Sequence, residues 1–188
     1  RPWRHTGRCE YRPTTLQRFN AFLAELSSDF SRLTTADEIM RIVGAKIGAY
    51  FRASRCHFVD IDDVAGVGVI THDWHEDGLA SIATDQVYRI ADFFSEDLHR
   101  AARAGQVVVV HDTRLDPRVD HERSAALDIR AFITAPVVTD GRWRFVVSVS
   151  NTVPREWHDE EVALVHELAT RVWLRIEHAR AEKALRRS

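Results

Sequence analysis

The chain has 188 residues, 45% hydrophobic and 29% charged, with a formal net charge of −2. That is the make-up of one globular domain able to bury a core, and it lacks the basic field that holds phosphate backbones or anionic lipid, so neither nucleic acid nor a membrane is an expected partner. Its two cysteines, Cys9 and Cys56, are too few for a disulfide framework and fit a reducing, cytoplasmic setting, and no run approaches the ~18 apolar residues of a membrane span.

The opening RPWRHTGRCEYRPTT lacks the apolar core of a signal peptide and reads as a leader or linker over 1–15. Just after Thr14 and Thr15, residues Leu16, Phe19, Leu23, Leu26, Phe30 and Leu33 recur in steps of three and four, the seam of a first helix. Thr35 and Glu38 form a capping box that opens a second helix, whose Ile39, Val43, Ile47 and Tyr50 share a face. The runs Cys56 to Ile61 and Val67 to Thr71 flank a turn-prone DDVAG and predict a β-hairpin, and VYRI is a further strand candidate.

Ser95 caps a helix running to Ala104, with Gly105 placed to end it. Val107 to Val110 is apolar on both faces and predicts a central strand. A polar, turn-rich loop then carries a short helix ending near Leu127. AFITAPVV and WRFVVSVS flank Asp140 and Gly141, a dipeptide that tolerates the positive φ of a tight hairpin.

From Asp159 a last helix opens with acids and ends with basic residues, and it carries no stop signal after Gly141 and Pro154. Its length is roughly 45 Å at 1.5 Å per residue. Val162, Val165, Ala169, Val172, Ile176 and Ala179 alternate steps of three and four, which predicts a coiled-coil seam, while Leu164 and Leu168 form a stripe suited to a sheet. Beyond Arg175 the composition turns mostly charged, so a partner helix rather than the core is expected to hold 175–188 as the start of a connector. Helices at both ends of an antiparallel sheet make an α+β fold.

Four stretches in order, TADEIMRIVGAKIGAYFRASRCHFVDID, RAGQVVVVHDTRLDPR, LDIRAFITAPVVTDGRWRFVVSVS and PREWHDEEVALVHELATRVWLRIEHARAEKALR, resemble a GAF domain over 16–184. The resemblance implies a six-stranded antiparallel sheet with the terminal helices on one face and a ligand cavity roofed by Trp74 to Ile129 on the other. Trp74, Tyr88, Phe93, Phe94, Leu98, His111 and Ile129 are the expected pocket residues, the alternative being that these aromatics pack as a second core. The tail resembles GAF modules of histidine kinases, which implies a small-molecule-sensing module working as a parallel homodimer, with a PAS or kinase segment downstream. Leu16, Phe19, Leu23, Val165, Val172, Ile176 and Ala179 are the expected dimer and signalling residues. A ligand-free dimerisation spacer, or the regulatory domain of a transcription regulator, are the other readings.

The ligand itself is unassigned. Bilin-binding members attach the chromophore through a roof cysteine, and none follows Cys56, so a covalent bilin is not expected; the signature of cyclic-nucleotide members is lacking too. His72, Asp73 and His75 would diverge on a strand end rather than hold a metal, and His99 and His111 are the candidates for a haem ligand. Asp112 and Asp116 are expected to fix their own turn. No Ser-His-Asp set or phosphate-cradling glycine loop can be drawn, so no enzymatic activity is expected.

Overall fold

The computed structural model describes residues 12–188, so Cys9 and all but the end of the leader expected over 1–15 lie outside the described residues. Thr14 and Gln17 form a reciprocal capping box that opens α1, Thr15–Arg32. Thr35 and Glu38 do the same for α2, Ala36–Phe51, which satisfies backbone donors that would otherwise be unpaired at a helix start. Then come β1 (Arg55–Asp62), β2 (Val67–His75), β3 (Tyr88–Arg89), α3 (Glu96–Arg103), β4 (Val108–Val110), α4 (His121–Ala126), β5 (Ala131–Thr139), β6 (Arg142–Asn151) and α5 (Asp159–Arg187).

The six strands form one antiparallel sheet in the order β3-β2-β1-β6-β5-β4, the α+β arrangement expected of the sequence. Strand alternation divides the core. Cys56 and Phe58 on β1, Ile133 and Ala135 on β5, and Val147 and Val149 on β6 face α1, α2 and α5. Val59, Phe132, Trp143 and Val146 face the opposite way, under α3 and the loops around it.

Two bulges interrupt that alternation. Pairing of β5 with β6 passes from Val137↔Phe145 to Val138↔Trp143, so the extra residue Arg144 turns Trp143 to the roof side. Pairing of β1 with β2 passes from Phe58↔His72 to Val59↔Ile70, and the extra Thr71 reverses the faces of everything after it on β2. The β5–β6 turn has φ of 53° at Asp140 and 73° at Gly141, the left-handed pair that the sequence predicts there.

The strand Val108–Val110 lies at the sheet edge, pairing only with β5, and corrects the expectation of a central position. Its residues are apolar on both faces because both are covered: Val108 and Val110 pack on the roof side, Val107 and Val109 on the helix side. The free edge is blocked as well, since Arg118 donates to the Val109 carbonyl at 2.9 Å and the Trp157 indole to that of Val110 at 3.2 Å.

The last helix lies on its own subunit. Val165, Ala169, Val172 and Ile176 are fully buried and Ala179 nearly so, all within the core formed with the sheet and α2. These residues therefore form an intramolecular core face and correct the expected dimer seam; three- and four-residue spacing marks a buried stripe without saying what buries it. The helix from Arg175 to Arg180 is held by its own domain too, whereas 181 and 183–188 are exposed. Arg175 caps the end of α1 through the carbonyls of Phe30 and Leu33 at 3.1 and 2.6 Å, and Arg180 grips Asp60 with two bonds of 3.0 and 2.9 Å. Near the other end of the seam, Leu23 and Phe19 pack partly on this core, while Leu16 is 64% exposed.

Candidate functional site

Between the sheet and its roof lies a cavity of about 90 Å³. Its floor comes from β1, β5 and β6, and its roof from the segment around Tyr88 and Phe93 and from Ser124 and Leu127 at α4. Phe94 stacks on Phe132 at 6.1 Å and Tyr88 meets Phe93 edge-on at 5.3 Å, so the apolar wall is largely aromatic.

One row of polar groups crosses this floor. Strand register sets His57 of β1 opposite Ser148 of β6, and Ser148 opposite Thr134 of β5. The Ser148 and Thr134 hydroxyls are bonded at 3.1 Å, whereas the buried His57 Nδ1 has no partner. On the other side His57 is paired with Asp73 of β2. The fold thus lines up Asp73, His57 and Ser148, an arrangement that only long-range register creates. No hydrogen bond links the three, since both His57 Nδ1 and Asp73 Oδ1 are unpartnered and Ser148 is engaged by Thr134, so the row lacks the relay of a hydrolytic triad.

Burial, helped by the Arg55 charge, drives the His57 imidazole down to about 3 from its ordinary 6.5. The folded state therefore keeps this ring neutral while the unfolded chain protonates below pH 6.5, so the contribution is fully present above 6.5 and is lost as pH falls. Between pH 6.5 and 5 we expect the wild type to lose about 1.6 kcal/mol more than a His57→Leu variant, the slope approaching about 1.36 kcal/mol per unit only well below 6.5. Urea unfolding at the two pH values measures this; parallel pH dependences in the two proteins would contradict it.

Arg55 and Asp73 sit beside this row as a buried ion pair, with side chains 1% and 0% exposed and 2.5 Å apart. Arg55 also donates to the carbonyls of Ala80 and Leu127 at 3.1 and 3.3 Å, and Asp73 accepts from the Ile82 N–H at 2.9 Å. The pair clasps both roof segments to the sheet. Burial pushes the Asp73 carboxyl above its usual range, against the pull of the Ile82 N–H and of Arg55.

Of the residues expected around a cavity, Tyr88, Phe93, Phe94 and Ile129 line it. Trp74 does not: after the Thr71 bulge it points to the helix side and packs on α2, where a Cβ at Gly48 would lie 2.2 Å from its ring. Leu98 is buried between α3 and the roof-side core without reaching the cavity. His111 is an exposed anchor whose Nδ1 accepts the Trp157 N–H at 3.1 Å, tying the start of α5 to β4. His57, Ser148, Thr134 and Trp143 were not singled out in the sequence; the hydroxyl and imidazole positions inside apolar strands were the available signal.

The other candidates resolve locally. Asp112 accepts from the Arg114 N–H at 3.0 Å and Arg130 at 2.7 Å, and Asp116 accepts from the Arg118 N–H at 3.0 Å. Both carboxyls are held below their usual range by those arginines. His99 packs edge-on against Trp143 at 5.7 Å from outside the cavity lining. Among the described residues no three His, Cys, Asp or Glu side chains gather as a metal site. Among the described residues the free cysteine is Cys56, and it faces the helix-side core rather than the cavity.

No helix among the described residues is long and apolar enough to cross a membrane. No curated protein matches the sequence. Among solved structures, the GAF domain of a phosphoenolpyruvate-protein phosphotransferase from Coxiella burnetii is similar with a TM-score of 0.75 and 18% identity, over 91% of this chain and 99% of that one. The free methionine-R-sulfoxide reductase of Neisseria meningitidis, in complex with its substrate, gives 0.71 and 17%, over 92% and 96%. The phycoerythrobilin-bound GAF domain of a cyanobacterial phytochrome gives 0.72 and 14%, over 88% and 97%. At such identities the likeness is one of fold. The GAF domain family model matches residues 33–176, most of the described chain, and on that match this protein belongs to the GAF domain family, a small-molecule-sensing regulatory fold of signalling proteins.

Proposed function

We propose that this domain is the ligand-sensing and dimerising module of a cytoplasmic signalling protein of histidine-kinase type, itself without catalytic activity. The observation that carries the reading is the roofed cavity on one sheet face with the terminal helices on the other. β6 joins the two sides. Trp143 lines the cavity and its indole bonds the Phe145 carbonyl at 3.1 Å, while the Phe145 ring lies 5.1 Å from Trp173 of α5. A ligand that displaces Trp143 shifts the packing of α5 by its differential affinity for the two arrangements.

The dimer contact falls to the outward stripe of α5. Leu174 and Leu185 are 62% and 75% exposed, and with His178 and Ala181 they are spaced by four, three and four residues, the step pattern of a parallel pair of helices. Light scattering tests this. A dimer is expected that Leu174→Glu with Leu185→Glu converts to monomer while thermal stability stays within about 1 kcal/mol. A monomeric wild type at high concentration would remove the dimerisation half of the proposal, and a thermal-shift screen in which no small molecule raises Tm would remove the sensing half. A cavity this small and aromatic also favours a second reading, a structural spacer whose own side chains fill the space.

A further inference from the structure

Accepting the cavity as a sensory pocket, the geometry points to its ligand class: an uncharged carboxamide or alcohol of about five non-hydrogen atoms, headed onto the His57–Ser148–Thr134 row. Three observations converge. The cavity measures about 90 Å³, below the ~150 Å³ that accepts benzene, which limits the occupant to a small molecule. Among the described residues no Asp, Glu, Lys or Arg lines it, so a charged ligand would be desolvated without a counter-charge.

The third observation is the unmet hydrogen-bonding capacity of the floor. His57 lines the cavity, its Nδ1 is buried without a partner, and a neutral ring carries one donor and one acceptor between its two nitrogens. The Thr134 and Ser148 hydroxyls use one of their two protons on each other, which leaves the second for a carbonyl or hydroxyl oxygen. A carboxamide or hydroxyl group, both donor and acceptor, complements that row. Its short alkyl body meets Phe94, Phe132 and Trp143. The nearby Arg55 does not convert the site to an anion site, because Asp73 neutralises it and the pair is directed to the roof backbone.

NMR titration of the 188-residue chain with propionamide, propan-1-ol, propionate and xenon separates the outcomes, read at the His57 ring nitrogens and the Trp143 indole. Propionamide or propan-1-ol is expected to bind in the millimolar range, at least ten-fold tighter than the near-isosteric propionate. His57→Leu should weaken propionamide about ten-fold and leave xenon binding unchanged; Thr134→Val should weaken it as well. Propionate binding as tightly as the amide, or an unaltered affinity in His57→Leu, overturns the assignment. Xenon perturbing Trp143 while neither neutral probe binds overturns the ligand class but leaves the sensory reading intact. Xenon and the probes all failing to reach Trp143 would show a closed cavity, and the sensory reading falls with the assignment.

Discussion

Replacing Asp73 by alanine is expected to cost the fold about 3–5 kcal/mol, because it leaves the Arg55 guanidinium buried with no counter-charge. The guanidinium cannot swing to water, since its side chain is 1% exposed and two of its nitrogens are also bonded to Ala80 and Leu127. Nor can it shed its proton. Losing the carboxylate also frees the Ile82 N–H, so the roof segment after β2 loses its attachment at the same time. Equilibrium urea unfolding reads the loss, and amide exchange at Ile82 reads the release of the roof. A matched apolar replacement, Arg55→Met with Asp73→Leu, should recover part of the stability by removing the buried charge, while the Ala80 and Leu127 carbonyls and the Ile82 N–H stay without their partners. A loss under 1 kcal/mol for Asp73→Ala would mean that water reaches Arg55 and that the clasp does not exist in solution.

The clasp also shows which part of the molecule a sequence conveys. Local rules carried the elements: Thr35 with Glu38, and Asp140 with Gly141, act within a few residues, and each is found doing the job its chemistry predicts. The cavity floor is different in kind. His57, Ser148 and Thr134 are 91 and 14 residues apart in successive steps, and only strand register brings them into one row. Bulges were equally silent. Without the extra Thr71, alternation would turn Trp74 to the cavity and Asp73 away from Arg55; without Arg144, Trp143 would face the helices. Nothing in those residues announces a bulge, because it is set by the fit of one strand against its neighbour. The run Val107 to Val110 and the stripe on α5 were legible as buried and misread as to what buries them, for the same reason.

That ambiguity makes position 172 decisive. Val172→Glu is expected to unfold the domain, with a loss above about 4 kcal/mol, rather than to separate two folded subunits. Val172 is fully buried in the core that α5 forms with the sheet and α2, so the substitution drives a carboxylate among the apolar side chains of that core. Protonation lowers the penalty only by exchanging charge burial for an unpaired hydroxyl and an overpacked site. Two residues along, on the outward stripe proposed as the dimer contact, Leu174→Glu leaves the subunit's own core untouched, so it should lower the molecular mass while keeping the unfolding free energy of each subunit within about 1 kcal/mol. Circular dichroism of the two variants through a urea titration separates the cases. A Val172→Glu protein that unfolds at the wild-type midpoint yet changes its molecular mass would return the seam to a partner subunit. A Leu174→Glu protein that melts like Val172→Glu would mean that the subunit does not fold without its partner, and that the two faces of α5 do not divide into a core and a separable contact.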